Sequence, residues 1–209
     1  MEEYQGTKFK TILEKKEIKF SKQIKKLISW GKILSKHNFI PHYKNEKEPE
    51  RKSSGGNLSF RFQSGFVITA SYSDIENLRI QDFVFVQDAD LQKKTVYATG
   101  LRNPSSESMM HHAIYKARND VNAIFHGHFN KLLQNYAQIG LVSTKKFADY
   151  GTIELVNSIL EVLEQNDFMI LKKHGFISLG KDIDKSGKLI LEINRELKKV
   201  KRNMFLDRK

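Results

Sequence analysis

Cysteine is absent from this chain of 209 residues, which excludes disulfides and the cysteine-rich zinc sites that hold many small folds together. No apolar run approaches about 18 residues, so no membrane-spanning helix is expected. The first residues are rich in lysine and glutamate and lack an apolar stretch behind them, which argues against a secretory signal. We therefore expect a cytoplasmic protein.

The composition is that of a folded protein, with 39% hydrophobic and 29% charged residues. A chain of 209 residues is long enough for one well-buried domain and short for two. No internal repeat and no linker divides it. We expect a single domain over residues 1–209, in which residues 1–17 form a flexible N-terminal extension.

The net charge is +12, from 36 basic and 24 acidic residues. The basic residues are concentrated in residues 15–36 and 181–209, a pattern typical of solvated helix faces. Dense lysine and arginine can also bind nucleic acid. However, the sequence has neither zinc-finger cysteines nor an RNA-binding signature, so nucleic acid is not an expected partner. The charge could simply steer anionic small molecules to a site.

Hydrophobic periodicity predicts helices alternating with hairpin strands. This alternation indicates an α/β (or α+β) fold in three layers, a sandwich of helices, sheet and helices. A polar segment at 43–54 is expected to be mobile or to form a lid. The predicted helices cover 18–37, 107–117, 151–164 and 183–204, and the strands cover 58–62, 66–69, 83–87, 95–98, 167–171 and 176–179, with hairpin turns at 63–65 and 88–90.

Two histidines one residue apart end an apolar, β-prone run, Asn122 to His128. In a strand, residues i and i+2 lie on the same face, so His126 and His128 would project together. Two imidazoles at a strand end make half of a tetrahedral zinc site. The alternative is a pair of surface histidines near a turn.

A third imidazole, His174, directly follows another buried strand, and strand ends commonly carry active-site groups. Upstream, Ser105 or Ser106 is a plausible helix N-cap, and Glu107 then falls in the first turn, where a carboxylate is favoured. Glu107 could be only a helix-start residue. Together with three histidines, however, it matches a catalytic zinc site with an open position.

Residues 54–57, Ser-Gly-Gly-Asn, form either an ordinary turn that enters a strand or an anion-binding loop. They are not a P-loop, because no Gly-Lys-Ser/Thr follows. Ser105 and Ser106 lie at a predicted helix N-terminus, where free N–H groups and the helix dipole attract phosphate. The two features together favour anion binding.

Four sequence blocks, in this order, resemble the class II aldolase/adducin family, whose enzymes include fuculose-1-phosphate aldolase, ribulose-5-phosphate 4-epimerase and methylthioribulose-1-phosphate dehydratase. The resemblance covers most of the chain from about Trp30 onward. The blocks are GGNLSFR at 55–61, ITAS at 68–71, PSSE at 104–107 with IYKAR at 114–118, and HGH at 126–128 with HG at 174–175.

The resemblance implies a zinc-dependent aldolase-type lyase that cleaves a small phosphorylated ketose through a metal-stabilised enediolate. Zinc, or another divalent metal, would be held by His126, His128 and His174, with Glu107 as the catalytic acid/base. The resemblance also implies a mostly antiparallel central sheet and a homotetramer. Residues similar to the family's phosphate-binding positions are Gly56, Asn57, Ser71, Ser105 and Ser106.

Two departures from the family pattern leave the exact reaction open. Tyr72 stands where a glycine often follows the second strand, and residues 129–142 are shorter than the family segment that supplies a proton-donating tyrosine. Tyr136 is either a stand-in for that tyrosine or an aromatic packed on Leu132 and Leu133. Epimerase or dehydratase chemistry at the same metal, or a non-catalytic module like the adducin head, are the alternatives. His111, one helical turn after Glu107, either supports it by a hydrogen bond or packs in the core.

Overall fold

A nine-stranded sheet forms the centre of the protein in the computed structural model, which describes residues 7–19, 21–44, 50 and 52–206, with side chains as far as residue 200. The strands are β1 (Lys10–Lys15), β2 (His42–Lys44), β3 (Lys52–Ser54), β4 (Gly56–Phe62), β5 (Gly65–Thr69), β6 (Phe83–Asp90), β7 (Thr95–Gly100), β8 (Ala123–Gly127), β9 (Val142–Ser143), β10 (Phe168–Leu171) and β11 (Gly175–Gly180). The helices are α1 (Lys22–Lys36), α2 (Ser108–Ala117), α3 (Asn130–Leu133), α4 (Ile153–Leu163) and α5 (Ile183–Leu206).

The strand order in the large sheet is β1-β7-β6-β5-β4-β8-β11-β10-β9, and β2 pairs with β3 in a separate two-stranded sheet. The described pairs of the large sheet are antiparallel except for β1 with β7 and β9 with β10. The mostly antiparallel sheet that the family resemblance implies is therefore confirmed. Strand β8 lies between β4 and β11, so the residues of all three meet at the centre of the sheet.

Helices cover both faces of this sheet and enclose two hydrophobic cores. Alternation along the strands divides their side chains, so that Ile68 packs in one core while its neighbour Val67 packs in the other. Helices α2 and α4 contribute to the first core, and α1 and α5 contribute to the second. The three-layer sandwich predicted from sequence is confirmed.

Hydrogen-bonding caps determine where two of the long helices begin. The Ser21 hydroxyl accepts a hydrogen bond from the backbone N–H of Ile24 at the start of α1. The Thr152 hydroxyl does the same for Leu155 at the start of α4. Such side-chain acceptors satisfy N–H groups that have no partner in the first helical turn. For α2, the predicted serine N-cap is corrected, because Glu107 occupies that position.

The N-terminal segment differs from the flexible extension expected over residues 1–17. Residues Lys10–Lys15 form β1, which pairs in parallel with β7 at one edge of the sheet. The side chain of Phe9 packs into the core beside α2 and α4. Of the three apolar residues in this segment, Phe9 is buried, Leu13 partly buried and Ile12 46% exposed, which gives no clear period-2 signal in the sequence. The first six residues lie outside the described part of the chain.

Two further predictions about connections need correction. Residues 43–54 were expected to form a loop, but β2 and β3 pair there as a hairpin, with 45–49 and 51 outside the described residues. The hairpin turn predicted at 88–90 lies instead between β6 and β7 at 91–94, because β6 continues through Asp90 after a bulge between Val86 and Asp88. Among the described helices, none has the length and apolar content required to cross a bilayer.

Candidate metal and acid/base site

His126 and His128 come from the end of β8, at the centre of the sheet. His126 is fully buried, and its Nδ1–H donates a hydrogen bond of 2.8 Å to the carbonyl oxygen of Phe176 on β11. Since a carbonyl can only accept, the proton must be on Nδ1, which leaves the Nε2 lone pair free. The Nε2 of His128 lies 3.0 Å from that atom. Such a second-nitrogen bond is typical of imidazoles that hold a metal.

His174 reaches the same point from the turn between β10 and β11. Its backbone N–H donates to the carbonyl of Leu171, and the residue before it, Lys173, adopts a left-handed φ of 60°. The ring centre of His174 lies 5.0 Å from that of His126 and 5.1 Å from that of His128. One nitrogen from each of the three rings lies within 4.8 Å of the others. Histidines 46 or more positions apart in the sequence therefore meet at one place.

Gly175, directly after the third histidine, lies where a side chain would collide with neighbouring atoms. A Cβ at this position would lie 2.6 Å from the carbonyl oxygen of Gly127, 2.7 Å from Cε1 of His126 and 2.8 Å from Cδ2 of His128. Contacts below 3 Å are too short for any side chain. The three rings can approach one another only because this position has no side chain.

Glu107 lies against the imidazoles from the start of α2. Only 4% of its surface is exposed, and its Oε2 lies 3.0 Å from Nε2 of His126. Its Oε1 lies 3.5 Å from Nε2 of His174. The side-chain amide of Asn57 donates a hydrogen bond of 2.8 Å to Oε2. Asn57 is in register with His126 on the neighbouring strand, so the sheet itself positions this amide.

Burial sets the protonation of the site. It lowers the pKa of His126 and of His174 to about 4, and lowers the pKa of His128 well below its ordinary value. It raises the pKa of Glu107, an effect that His174 and the Asn57 hydrogen bond oppose. All three imidazoles are thus neutral at pH 7 and can offer lone pairs.

These lone pairs fit a divalent cation. The Nε2 of His126 carries no proton, yet it faces an oxygen of Glu107 at 3.0 Å, and both atoms are acceptors when the carboxyl is ionised. Two acceptors this close repel unless a positive charge lies between them. Neutral nitrogen ligands without cysteine match the donor set of catalytic zinc. The residues present therefore fit the implied metal.

The predicted anion-binding residues surround the start of α2. Ser105 and Ser106 are buried there, and the Ser105 hydroxyl accepts a hydrogen bond from the backbone N–H of Glu107. The Ser71 hydroxyl donates to the carbonyl of Pro104, which ties the segment after β5 to the segment before α2. Gly56 has a φ of +146°, and a Cβ there would lie 2.5 Å from the carbonyl oxygen of His126. Gly56 is thus also required for close strand approach.

Tyr72 stands where a glycine often follows the second strand in the family pattern. Its φ is 58°, in the left-handed region that favours glycine. Such a conformation is uncommon for a bulky residue and marks a turn that its surroundings hold in place.

His111 and Tyr136 both pack against hydrophobic residues in the structure. The His111 ring is fully buried, bonded through Nδ1 to the Ser59 hydroxyl at 2.8 Å and stacked on Phe66. Burial lowers its pKa well below the ordinary value. Tyr136 lies in a short 3-10 turn and packs against the core that contains Leu132. These contacts match the alternatives in which His111 packs in the core and Tyr136 packs near Leu132.

Tyr43 was not predicted as a residue of the site. It lies on β2, in the segment expected to be a loop, and its ring covers Gly55. A Cβ on Gly55 would lie 2.5 Å from the ring of Tyr43 and 3.0 Å from Nδ1 of His128. The β2–β3 hairpin therefore forms one wall beside the histidines. The sequence hint of this contact was the glycine pair Gly55–Gly56, since Gly55 leaves room for the Tyr43 ring.

Comparison with known proteins agrees with this geometry. Residues 51–134 match the family profile described as Class II Aldolase and Adducin N-terminal domain. The chain is 32% identical over 162 residues to a 5-methylthioribulose-1-phosphate/5-deoxyribulose-1-phosphate aldolase of Rhodospirillum rubrum, covering 68% of each protein. The chain belongs to the class II aldolase/adducin family. The family resemblance inferred from the sequence blocks is confirmed.

Two further class II aldolase relatives support the assignment. An L-fuculose phosphate aldolase of Methanocaldococcus jannaschii is 31% identical over 144 residues, which cover 62% of this chain and 75% of that protein. A solved structure of L-fuculose 1-phosphate aldolase superposes with a TM-score of 0.69 at 23% identity, covering 92% of this chain and 89% of the other. The second comparison shows that this chain has the class II aldolase fold.

Proposed function

We propose that this protein is a metal-dependent aldolase-type lyase that cleaves a small phosphorylated ketose. The observation that carries the proposal is the convergence of three neutral imidazoles and the Glu107 carboxyl on one point. A buried carboxyl beside a Lewis acid is suited to proton transfer at a carbon next to a carbonyl. The names of the matched relatives, aldolases of phosphorylated sugars, support the substrate class.

The metal would be held by His126, His128 and His174, and zinc is the first choice among divalent ions. Three imidazoles with a further position open for substrate are typical of catalytic zinc. When bound, the ion supplies Lewis-acid stabilisation of the negative charge that develops on the substrate oxygens. Neutral ligands leave its double positive charge undiminished.

Glu107 would move the proton, held in place by the Asn57 amide at 2.8 Å. Burial raises the pKa of Glu107, which makes exchange of a proton near neutral pH easier. In cleavage, the carbon–carbon bond breaks, an aldehyde leaves, and the electron pair remains on the ketose fragment as an enediolate. Ionised Glu107 would accept the proton that the substrate hydroxyl loses as the aldehyde forms and would deliver it to the carbon of the enediolate fragment, so that no net proton is gained or lost.

The substrate phosphate would be held by Ser71, Ser105 and Ser106, with Gly56 and Asn57 beside them. The two serines lie next to the N-terminus of α2, where backbone N–H groups and the helix dipole favour an anion. Asn57 donates one amide proton to Glu107 and has a second for the phosphate. Binding the phosphate away from the reacting carbons orients them for cleavage.

A panel of phosphorylated ketoses tests the reaction. The zinc-loaded protein is incubated with 5-methylthioribulose 1-phosphate, 5-deoxyribulose 1-phosphate and L-fuculose 1-phosphate, and the products are identified by mass spectrometry. Release of an aldehyde with dihydroxyacetone phosphate supports the lyase. Loss of water or an epimeric product would instead assign dehydratase or epimerase chemistry to the same site. Protein that binds no divalent metal would contradict all three.

Glu107→Gln tests the acid/base assignment. The amide keeps the shape of the carboxyl but cannot exchange a proton, so turnover should fall by about 10²- to 10⁴-fold while one metal ion per chain is retained. Glu161→Gln is the matched control, because Glu161 is an exposed carboxylate on α4 that pairs with Lys145. Full activity in Glu107→Gln would rule out Glu107 as the proton carrier.

A further inference from the structure

The segment before β1 places a lysine beside the candidate site. Phe9 is buried in the core with residues of α2 and α4, which anchors the chain immediately after Lys8. The Lys8 side chain is 27% exposed and forms an ion pair with Asp149 in the turn before α4. Its ammonium also lies 4.1 Å from the centre of the Tyr150 ring, in cation–π contact.

The turn that Lys8 contacts lies directly against the predicted phosphate-binding serines. At Gly151, a Cβ would lie 2.9 Å from the carbonyl oxygen of Ser106 and 3.6 Å from Cβ of Lys8. The four-carbon stem of lysine is flexible enough to carry the ammonium across so short a gap.

A phosphate bound at the start of α2 would need a positive charge. The proposed phosphate-binding residues Gly56, Asn57, Ser71, Ser105 and Ser106 are all uncharged, whereas a phosphate monoester carries about −1.5 to −2 charges at pH 7. Asp149 adds a negative charge nearby, which would repel such an anion. A cation between the two would remove the repulsion and add a charge-assisted hydrogen bond.

Arg102 is a second cation near these residues, and it donates a hydrogen bond of 3.3 Å to the carbonyl of Ser71. Its guanidinium is bonded at 3.0 Å to Asp82, whose side chain is completely buried. Moving Arg102 would break the shorter of the two ion pairs of that buried carboxylate, the other being with Arg79 at 3.9 Å, and weakening the pairing of a buried charge is costly. The carboxylate partner of Lys8 is 40% exposed, so water can solvate it when the ammonium shifts.

We propose that Lys8 is a substrate-binding residue whose ammonium bridges Asp149 and the substrate phosphate at the Ser105–Ser106 loop. An ammonium has three donors, enough for both partners at once. The proposal rests on the proposed function, since it requires a phosphorylated substrate. It assigns a role to the N-terminal segment, because β1 and Phe9 are what hold Lys8 at this place.

Methyl phosphate, the simplest phosphate monoester, is the probe for the test. It is titrated by calorimetry into the metal-loaded, full-length protein and its variants. Lys8→Met should weaken binding about ten-fold or more, because a charged hydrogen-bond donor is lost. Lys8→Arg should keep most of the affinity. Lys10→Met removes the same charge from the exposed side of β1 and should change the affinity less than two-fold.

Three results would overturn the proposal, and they differ in what else they affect. If Lys8→Met and Lys10→Met bind methyl phosphate equally well, Lys8 is not a phosphate-binding residue, whereas the proposal of a phosphorylated substrate still holds. If the unsubstituted protein does not bind methyl phosphate, both the role of Lys8 and the phosphorylated substrate are contradicted. Recovery of full affinity in Lys8→Met/Asp149→Asn would mean that Lys8 only masks Asp149 and does not contact the phosphate. Thermal melts of each variant establish that it is folded.

Discussion

At the scale of single residues, the site depends on glycines, which have no side chain, as much as on the side chains that face the site. Gly175 leaves space for two imidazole rings, and Gly56 lets β4 approach the backbone of His126. Glu107 is a buried carboxyl whose ionisation costs free energy in the folded chain, and proton transfer is the role proposed for it. The two glycines therefore allow close packing, whereas the buried Glu107 carboxyl lowers the stability of the fold.

Glu107→Gln should stabilise the metal-free protein. Burial raises the pKa of Glu107, so its ionised form is disfavoured in the folded chain at pH 7. A neutral amide removes that cost, and we expect a gain of roughly 0.5 to 2 kcal/mol in the free energy of unfolding. Urea unfolding of the metal-free wild-type protein and variant measures the difference, with Glu161→Gln as control. A less stable Glu107→Gln protein would contradict the reasoning.

Gly175→Ala should impair metal binding. Its Cβ would overlap Cε1 of His126 and the Gly127 carbonyl, so the rings must separate. We expect metal affinity to fall by roughly 10- to 100-fold, the range seen when the support of metal ligands is disturbed. Gly140→Ala is the control, because no atom lies within 4 Å of its Cβ, although its φ of +69° costs about 1 kcal/mol of stability. Unchanged zinc affinity in Gly175→Ala would refute this prediction.

At the scale of elements, strand β8 and helix α2 together build the site. Residues on one side of β8, including Ile124 and His126, face the layer that contains α2, while Phe125 faces the other core. The start of α2 brings Glu107 to the same end of the sheet. The edge strand β1 holds the N-terminal segment against this arrangement.

Phe9→Ala tests whether the N-terminal segment is an integral part of the fold. Phe9 is 8% exposed within the core of α2 and α4, so its truncation should lower the free energy of unfolding by about 3 kcal/mol. Ile12→Ala, three residues later on β1 but 46% exposed, should cost less than about 1 kcal/mol. Chemical unfolding monitored by circular dichroism compares them. Equal stabilities would mean that the segment is only loosely attached.

At the scale of the whole molecule, burial makes stability depend on pH. The pKa values of His126 and His174 are lowered from 6.5 to about 4, and those of His128 and His111 lie well below 6.5. As the pH falls below 6.5, the unfolded chain therefore binds protons before the folded chain does. The histidine contribution to stability is complete above that pH and is lost as the pH falls towards 4.

The melting temperature of the metal-free protein should accordingly drop between pH 6.5 and pH 4. Glu107 acts in the opposite sense, because its pKa is raised and the folded chain takes up that proton first. The decrease should therefore be steeper in Glu107→Gln than in the wild-type protein. Calorimetric scans at several pH values measure both. A melting temperature that stays constant over this range in both proteins would contradict the burial argument.

The sequence by itself determined the residue types of the site and most of the elements that carry them. The β-prone apolar runs at 58–62 and 66–69, with a tight-turn signal at 63–65 between them, predicted β4 and β5, because strand and turn signals are local in the sequence. The ordered blocks around Glu107, His126 and His174 predicted the family. Their assigned chemical roles remain predictions for the experiments above to test.

Tertiary structure decided everything that depends on contacts between distant segments. The Asn57 amide on Glu107, the Tyr43 ring beside His128 and the Lys8 pair with Asp149 join residues far apart in the chain. No local periodicity encodes such contacts, since each depends on strand register and on which helix covers which face. The N-terminal strand was missed for the same reason: an edge strand with one buried aromatic is recognisable only beside its partner β7.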